Sequence, residues 1–317
     1  MGKYLQNKNN RINMRIIFMG SAEIAIPSLQ SILQNPSDQI VGIISQPDRP
    51  AGRKRTLTPS PLKAYAKKQN LTVLTPEKIS EVTEQLATLK PDLIVVVAYG
   101  QYIPSCIINL APHKAINLHP SLLPKYRGAA PIQWTIANGD TQTGVSIIYV
   151  DKKMDAGDIL NQATYPIHSD DTSATLHNAL AQLGATLLQQ TINDIRNNTL
   201  NPTPQNENHV IEITKLTKQD GKIDWTQPAT TIRNRIRAFN PWPGTYCTLP
   251  NGSPLKIWKA EVENATGTPG QTLDDNLLIA TAKQALRLIQ IQPPGKQSMP
   301  ASDYLRGHPI PKNTQLT

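Results

Sequence analysis

The sequence predicts a doubly wound α/β domain with a mostly parallel sheet, followed by a small β-rich domain. Apolar runs of strand length, such as residues 93–99, recur between segments of helical length, which is typical of parallel strands covered on both faces. After residues 197–209, a polar stretch with prolines, the chain changes to short alternating segments separated by Gly and Pro. At 317 residues, the chain is long enough for two domains with separate cores.

The elements of the first domain follow from their apolar patterns. In order, we expect a strand at 15–20, a helix at 22–34, a strand at 40–45, helices at 61–69 and 77–89 around a short strand at 71–74, and strands at 92–100 and 114–119. Residues 143–150 and 159–167 alternate more clearly, which favours an antiparallel extension of the sheet. A helix at 172–197, with leucines along one face, closes the domain.

The predicted domain boundaries follow the changes in composition. We expect a flexible extension at 1–13, a first domain at 14–198, a linker at 199–209 and a second domain at 210–317. The extension lacks the apolar core of a signal peptide, so we expect a disordered tail or a start codon assigned too far upstream; because it has no acidic residue, a weak organellar signal is the alternative. In the second domain, a helix at 228–239 precedes four segments typical of a small barrel or sandwich, at 245–249, 255–263, 276–282 and 285–293.

Composition argues against several classes of protein. Cys106 and Cys247 are far apart, which argues against a disulfide scaffold and, with no signal peptide, predicts a cytoplasmic protein. The longest apolar run, residues 93–99, is too short to cross a bilayer, so no membrane partner is expected. The histidines lack ligand spacing, and one glycine follows the first strand instead of Gly-x-Gly-x-x-Gly, so we predict neither a metal nor NAD.

Positive charge is concentrated in one short segment. The chain has a formal net charge of +9, and residues 48–68 hold seven basic residues against one acidic residue, a local net charge of +6. Four of the basic residues lie together, namely Arg49, Arg53, Lys54 and Arg55. Since Gly and Pro interrupt this run, it predicts a mobile loop that a polyanion orders; the alternative is a solvated charged loop.

A candidate site lies where a predicted strand ends. Asn117 and His119 are two residues apart at the end of the strand at 114–119, so their side chains share one face. Ligands of open α/β sheets bind outside the carboxyl ends of the strands. Asp155, in the loop that joins the strands at 143–150 and 159–167, is our choice for the carboxylate that orients the imidazole; Asp151 and Asp158 are alternatives.

An Asn–His–Asp set suits acyl transfer in which the acceptor is itself the nucleophile. The imidazole can relay a proton, the carboxylate can orient it, and the amide can donate to a developing oxyanion. Ser121 is a conceivable nucleophile, but it lacks the Gly-x-Ser-x-Gly turn. The alternative interpretation is structural: Asn117 caps the strand end and His119 is merely packed.

Four segments together resemble the methionyl-tRNA formyltransferase family. They are INLHPSLLPKYRGAAPIQW, VDKKMDAGDIL, QPDRPAGRKRTLTPSPLK and IRAFNPWPGTY, and the resemblance runs from about Arg15 to the C-terminus. The first two are shared with other enzymes that use 10-formyltetrahydrofolate, including glycinamide ribonucleotide and UDP-aminosugar formyltransferases. The basic DRPAGRKR segment and the AAPIQ form of the motif favour the tRNA enzyme.

The resemblance implies a fold, a reaction and a set of site residues. The fold is a Rossmann-like formyltransferase domain, a linker and an OB-like barrel that binds tRNA. The family's catalytic set matches Asn117, His119 and Asp155, and its folate site matches the segment Ser121, Leu122, Leu123 and Pro124. The implied reaction is direct attack by the α-amine of initiator methionyl-tRNA on 10-formyltetrahydrofolate. Nothing in the sequence demands more than a monomer.

Two departures from the family pattern and several competing functions accompany this hypothesis. GSAEIA, at 20–25, stands where many members have Gly-Thr-Pro-Asp-Phe, and Pro120 is often Gly elsewhere. The main competing function is a formyltransferase acting on a sugar nucleotide or another small amine with the same folate donor, but such an enzyme needs no polyanion-binding loop. An RNA-binding protein with a degenerate transferase domain and a formate-releasing hydrolase also compete with it.

Overall fold

The computed structural model describes residues 13–52 and 55–317, which form two compact units. The first unit takes in the chain up to Pro124, Gly144–Ala163 and Leu180–His209; the second takes in Lys125–Thr143, Thr164–Ala179 and Val210–Thr317. Each unit combines several stretches of chain, whereas the sequence analysis gave each domain one continuous range, so those boundaries stay a prediction. The predicted N-terminal extension, apart from Asn13, lies outside the described residues.

Strands and helices are named here in chain order. Within the described residues the strands are β1 (Met14–Gly20), β2 (Asp38–Ile44), β3 (Arg49–Ala51), β4 (Thr56–Thr58), β5 (Leu93–Val97), β6 (Ala115–His119), β7 (Arg127–Gly128), β8 (Gln142–Tyr149), β9 (Ile159–Pro166), β10 (Glu212–Ile213), β11 (Thr245–Thr248), β12 (Pro254–Glu263), β13 (Leu278–Ala280), β14 (Ala285–Gln292) and β15 (Met299–Pro300). The α-helices are α1 (Ala25–Gln34), α2 (Pro61–Lys68), α3 (Thr83–Thr88), α4 (Ser105–Ile108), α5 (Pro131–Ala137), α6 (Ser173–Asn197), α7 (Ala229–Ala238) and α8 (Ala301–Leu305). None of these described helices is long and apolar enough to span a bilayer.

A six-stranded sheet, ordered β2-β1-β5-β6-β8-β9, confirms the predicted α/β class. β1 is parallel to β2 and β5, and β5 is parallel to β6. All five residues of β5 are buried, as expected for a central strand covered on both faces. β8 joins β6 antiparallel, which confirms the predicted antiparallel extension. The carboxyl ends of β1, β5 and β6 therefore lie along one edge of the sheet.

Local details of the first unit differ from the predictions. The expected strand at 71–74 is only an isolated bridge between Leu74 and Ile44. The expected helix at 77–89 is divided into a 3₁₀ turn, Ile79–Val82, and α3. Short 3₁₀ turns are frequent at helix N-termini, and hydrophobic periodicity does not distinguish them from the helix that follows.

The basic segment was predicted to be a mobile loop, but its flanks form a two-stranded hairpin. β3 pairs antiparallel with β4, in the register Arg49 to Thr58 and Ala51 to Thr56. Thr and Leu residues of β4 favour extended backbone, and Gly52 has a positive φ of 69° at the turn. The loop prediction was therefore wrong for these flanks, while Arg53 and Lys54 lie outside the described residues.

The second unit has its own antiparallel sheet, ordered β11-β12-β14-β13, with β15 beside β14. Its core is apolar and includes Trp225, Ile236 and Leu286. The same unit contains α5, whose Trp134 ring meets the Phe239 ring edge-on at a centroid distance of 6.2 Å. The OB-like barrel stays a prediction for this domain.

Three arginines of α7 are bound within the second unit. Guanidinium groups donate from Arg233 to the Ser169 carbonyl at 2.9 Å and from Arg235 to the Asp220 carbonyl at 2.8 Å. Arg237 donates to a backbone carbonyl in the same way, at 2.9 Å. Since these contacts tie the guanidinium groups to backbone, they stabilise the second unit.

The two cysteines should differ sharply in reactivity. Cys106 is exposed, whereas Cys247 is buried and burial raises the pKa of its thiol to about 12. A thiol reacts as the thiolate, so the buried group is both inaccessible and protonated at pH 8. We expect a disulfide reagent at pH 8 to modify one thiol per native chain and two after denaturation. Two fast-reacting thiols in the native protein would contradict this burial.

Candidate active site

Asn117 and His119 project from the same face at the carboxyl end of β6. β6 lies between β5 and β8, where Asn117 is paired with Val96 and Ile148 and His119 with Ser146. The alternate residue Leu118 points to the opposite face, where it packs on α6 so closely that a Cβ on Gly184 would lie 2.6 Å from it. One face of β6, with Leu118, thus packs in the core, and the opposite face carries the Asn117 amide and the His119 imidazole.

Asp155 brings its carboxylate to both of these side chains. Its Oδ1 accepts from the Asn117 amide at 3.4 Å, and its Oδ2 lies 3.6 Å from the His119 Nδ1. The alternatives Asp151 and Asp158 are exposed. The three predicted catalytic side chains therefore converge, and Asp155 is the carboxylate of this loop that meets the imidazole.

This arrangement has a defined chemical capacity. His119 is 4% exposed, so its imidazole is shielded from water, and the carboxylate beside Nδ1 favours the tautomer with the proton on that nitrogen. Nε2 is then the ring's acceptor and can take a proton from an incoming amine. One hydrogen of the half-buried Asn117 amide faces the carboxylate, and the other can donate to a carbonyl oxygen.

Tyr149, at the end of β8, is not a suitable base for this site. Burial, followed by the negative charge of Asp158, raises the pKa of its phenol. The phenol therefore stays protonated at neutral pH. Of the side chains of Tyr149 and His119, the imidazole is therefore the better candidate for a general base.

The predicted folate segment, Ser121 to Pro124, begins one residue beyond the end of β6. Ser121 and Leu123 are buried, whereas Leu122 and Pro124 are half-buried. Ser146 fixes the backbone: its Oγ donates to the Ser121 carbonyl at 2.7 Å and accepts from the Leu123 amide at 3.1 Å. The segment thus has a defined backbone path before any ligand binds.

Gln162 completes this support from β9. Its Nε2 donates to the Leu123 carbonyl at 3.0 Å and to the Ser146 Oγ at 2.8 Å. Sequence reasoning missed both Ser146 and Gln162, although a serine that interrupts the apolar residues 145–148 of β8 is a usable signal. Buried polar side chains in a strand commonly satisfy the backbone of a neighbouring loop.

The unusual segment GSAEIA after β1 is tied to the neighbouring strand ends. Ser21 Oγ donates to the Tyr99 carbonyl at 3.1 Å and accepts from the Gln46 backbone amide at 3.1 Å. Gln46 Nε2 also donates to the Tyr99 carbonyl, at 3.2 Å. Ser21 therefore links the loops that follow β1, β2 and β5. The segment GSAEIA, which departs from the family pattern, thus contributes a side chain that connects these loops.

The basic hairpin presents less unpaired charge than the sequence count implies. Arg49 forms an exposed ion pair with Glu77 at 2.8 Å, and Lys63 pairs with Asp48 at 2.7 Å. Arg55 is exposed at the turn, with a positive φ of 50°. Among the described residues of the predicted tRNA contact, Arg55 is thus the cation best placed for an external partner.

No metal centre is evident in the part of the chain that the structure describes. Within residues 13–52 and 55–317, no group of three or more His, Cys, Asp and Glu side chains is placed to hold an ion.

The sequence matches two family profiles along most of its length. Residues 14–192 match the family Formyl transferase, and residues 215–309 match Formyl transferase, C-terminal domain. The methionyl-tRNA formyltransferase of Caldanaerobacter subterraneus subsp. tengcongensis is 42% identical over 310 residues, 96% of this chain and 100% of the relative. That of Halalkalibacterium halodurans is 42% identical over 302 residues, 93% of this chain and 95% of the relative. The chain belongs to the methionyl-tRNA formyltransferase family.

A solved relative shares the fold of this family member. The N-formyltransferase of Helicobacter canadensis, in complex with folinic acid and dTDP-3-aminofucose, superposes with a TM-score of 0.64. It is 23% identical and covers 87% of this chain and 98% of its own. The family and this likeness confirm the formyltransferase architecture that the sequence predicted.

Proposed function

We propose that the protein transfers the formyl group of 10-formyltetrahydrofolate to the α-amino group of initiator methionyl-tRNA, giving N-formylmethionyl-tRNA for translation initiation. The observation that carries the chemistry is the convergence of Asn117, His119 and Asp155, with the carboxylate 3.4 and 3.6 Å from its two partners. The near-full-length similarity to named methionyl-tRNA formyltransferases supports the acceptor.

The proposed reaction exchanges one C–N bond for another. The neutral α-amine attacks the formyl carbon, and the bond from that carbon to N10 of the folate breaks. Asn117 donates to the formyl oxygen as it gains negative charge, which lowers the barrier. His119, held by Asp155, moves the proton from the attacking nitrogen to the leaving nitrogen, so no covalent enzyme intermediate is needed.

The segment Ser121 to Pro124 is our proposed wall of the folate site. Only Pro120 separates it from His119, and its backbone is held in place by Ser146 and Gln162. A fixed, half-buried backbone segment with Leu and Pro side chains suits a flat, partly apolar ligand beside the reacting group. We propose a monomer acting in the cytoplasm, where folates and aminoacylated tRNA occur together.

The assay that tests this function follows labelled formyl transfer from 10-formyltetrahydrofolate to methionyl-tRNA. Reactions with folate alone and with a dTDP-aminosugar serve as comparisons, since the structural relative is complexed with such a sugar. Transfer to methionyl-tRNA alone supports the proposal. Preferential transfer to the sugar nucleotide, or release of free formate, would overturn it in favour of the corresponding competing function.

We propose that the basic segment of the sequence that contains Arg49, Arg53, Lys54 and Arg55 contacts the tRNA backbone. Replacing Arg55 by alanine should raise the KM for methionyl-tRNA and leave the KM for folate unchanged, because phosphate contacts depend on fixed positive charge. Arg49 should matter less, since it already pairs with Glu77. Steady-state kinetics at two salt concentrations measure this effect. An unchanged KM for tRNA in the Arg55 variant and in an Arg53→Ala, Lys54→Ala variant would contradict a tRNA contact here.

A further inference from the structure

The loop that carries Asp155 is supported by a segment far along the chain. After α6, the backbone of Thr203 pairs with that of Ile159 through hydrogen bonds of 2.8 and 2.9 Å. Gln205 then reaches the loop through its side chain, and Glu207 forms an exposed ion pair with Lys153 at 3.2 Å. Residues 199–209 were predicted to be a linker, yet part of this stretch is built into the first unit.

Gln205 makes a two-fold contact with the backbone of this loop. Its Nε2 donates to the carbonyl oxygens of Asp155 and Gly157, each at 2.8 Å. Both hydrogens of the amide are used, so the two carbonyls are held at a set separation. Gln205 is half-buried, whereas residues 201–204 and 206–209 are exposed, so this side chain is the one in the stretch that turns inward.

The conformation of Asp155 explains why such support is needed. Its φ is 51°, in the left-handed region that L-residues with a Cβ rarely adopt and that persists only when surrounding contacts determine it. Its carboxylate accepts a long hydrogen bond from Asn117, at 3.4 Å, and lies 3.6 Å from the Nδ1 of His119, just beyond hydrogen-bond distance. A small shift of the loop therefore decides whether these bonds form.

We propose that Gln205 is a positioning residue for the reaction: it holds the backbone of Asp155 so that the carboxylate reaches His119 and Asn117. The inference rests on the proposed function, because it assigns Asp155 a part in catalysis. Gln205 acts through Asp155 and does not itself contact substrate. The role requires a side chain with an amide nitrogen, because that nitrogen donates to the two carbonyl oxygens of the loop.

Two substitutions of Gln205 test this role. Gln205→Met keeps the length of the side chain and removes both donated hydrogen bonds; Gln205→Glu keeps the shape but sets an oxygen against two carbonyl oxygens. We expect kcat to fall about tenfold to a hundredfold in both, with the KM for folate and for tRNA nearly unchanged, because a displaced catalytic group slows the chemical step. The neighbours of Gln205 in sequence are exposed, so the thermal unfolding midpoint should change little.

A double-mutant comparison separates positioning from a general structural effect. In an Asp155→Ala background, Gln205→Met should lower kcat by less than about twofold, because the group it positions is gone. Lys153→Ala is the matched control: it removes an exposed ion pair of the same loop and should leave kcat unchanged. Full additivity of the Asp155 and Gln205 losses, or wild-type kcat in both Gln205 variants, would overturn the inference.

The wild-type enzyme and the Asp155→Ala variant are assayed first. Wild-type protein that does not formylate methionyl-tRNA refutes the proposed function itself. Active wild type, a slow Asp155→Ala variant and fully active Gln205 variants refute only the role of Gln205.

Discussion

Replacing His119 or Asn117 by alanine is expected to lower kcat by at least about a hundredfold while the protein stays folded. Each change removes a group that meets the developing charge, and one lost oxyanion donor typically raises the barrier by about 3 kcal/mol. His119 also carries the proton in the proposed mechanism, so its loss should be the larger. The double variant should be little slower than the worse single variant, because groups that act as one unit are not additive.

Steady-state kinetics of formyl transfer measure this effect, with circular dichroism to confirm folding. His113→Ala is a matched control, since His113 precedes the same strand at its amino end and uses its backbone amide to bond the Asp92 carbonyl at 3.0 Å. The control should keep near-wild-type kcat. A His119→Ala or Asn117→Ala variant with near-wild-type kcat would remove that residue from the mechanism.

Gly157→Ala is expected to lower both kcat and stability, because the added methyl group displaces the backbone of the loop that carries Asp155. A Cβ at this position would lie 1.9 Å from the carbonyl oxygen of Tyr149 and 2.8 Å from its carbonyl carbon. Since both atoms belong to β8, the loop must move, and overpacking of this kind costs roughly 1–3 kcal/mol of folding free energy. Asp155 is two residues away, and a displacement of about 1 Å at a catalytic group can cost a hundredfold in rate.

Kinetics together with the free energy of unfolding in urea measure this pair of effects. Gly307→Ala is the matched control, because a Cβ at Gly307 would have no heavy atom within 4 Å beyond its own chain neighbours, and its φ is not in the left-handed region. The control should change stability by no more than about 0.5 kcal/mol and leave kcat unaltered. Wild-type stability and kcat in Gly157→Ala would mean that the loop tolerates the shift and does not fix the carboxylate.

The sequence predicted the sheet and one half of the site with good accuracy. Apolar runs identified β1, β5 and β6, since burial on both faces leaves a pattern within each strand. The two-residue spacing of Asn117 and His119 placed both side chains on one face, because the strand alternates with a period of two. These properties are local, so they can be derived without knowing what packs on the strand.

The loop prediction was wrong for the flanks of the basic segment, and two features that depend on hydrogen bonds between segments were not foreseen. The basic stretch has turn residues and charge, typical of a loop, yet β3 and β4 pair across it. Residues 199–209 have the composition of a linker, yet Thr203 and Gln205 bond the loop of Asp155. Hydrogen bonds between segments leave little trace in composition, so only the folded chain reveals them.

By itself, the sequence determined the α/β class, the position of an amide and an imidazole at a strand end, and the resemblance to a family of formyltransferases. The tertiary structure alone decided that Asp155, and not Asp151 or Asp158, meets His119, and that Gln205 holds the loop. The physical reason is that the sequence contains three aspartates in one loop and does not show which side chain turns towards the imidazole. A left-handed backbone at Asp155 and the contact from Gln205 then accompany the inward turn of one of them.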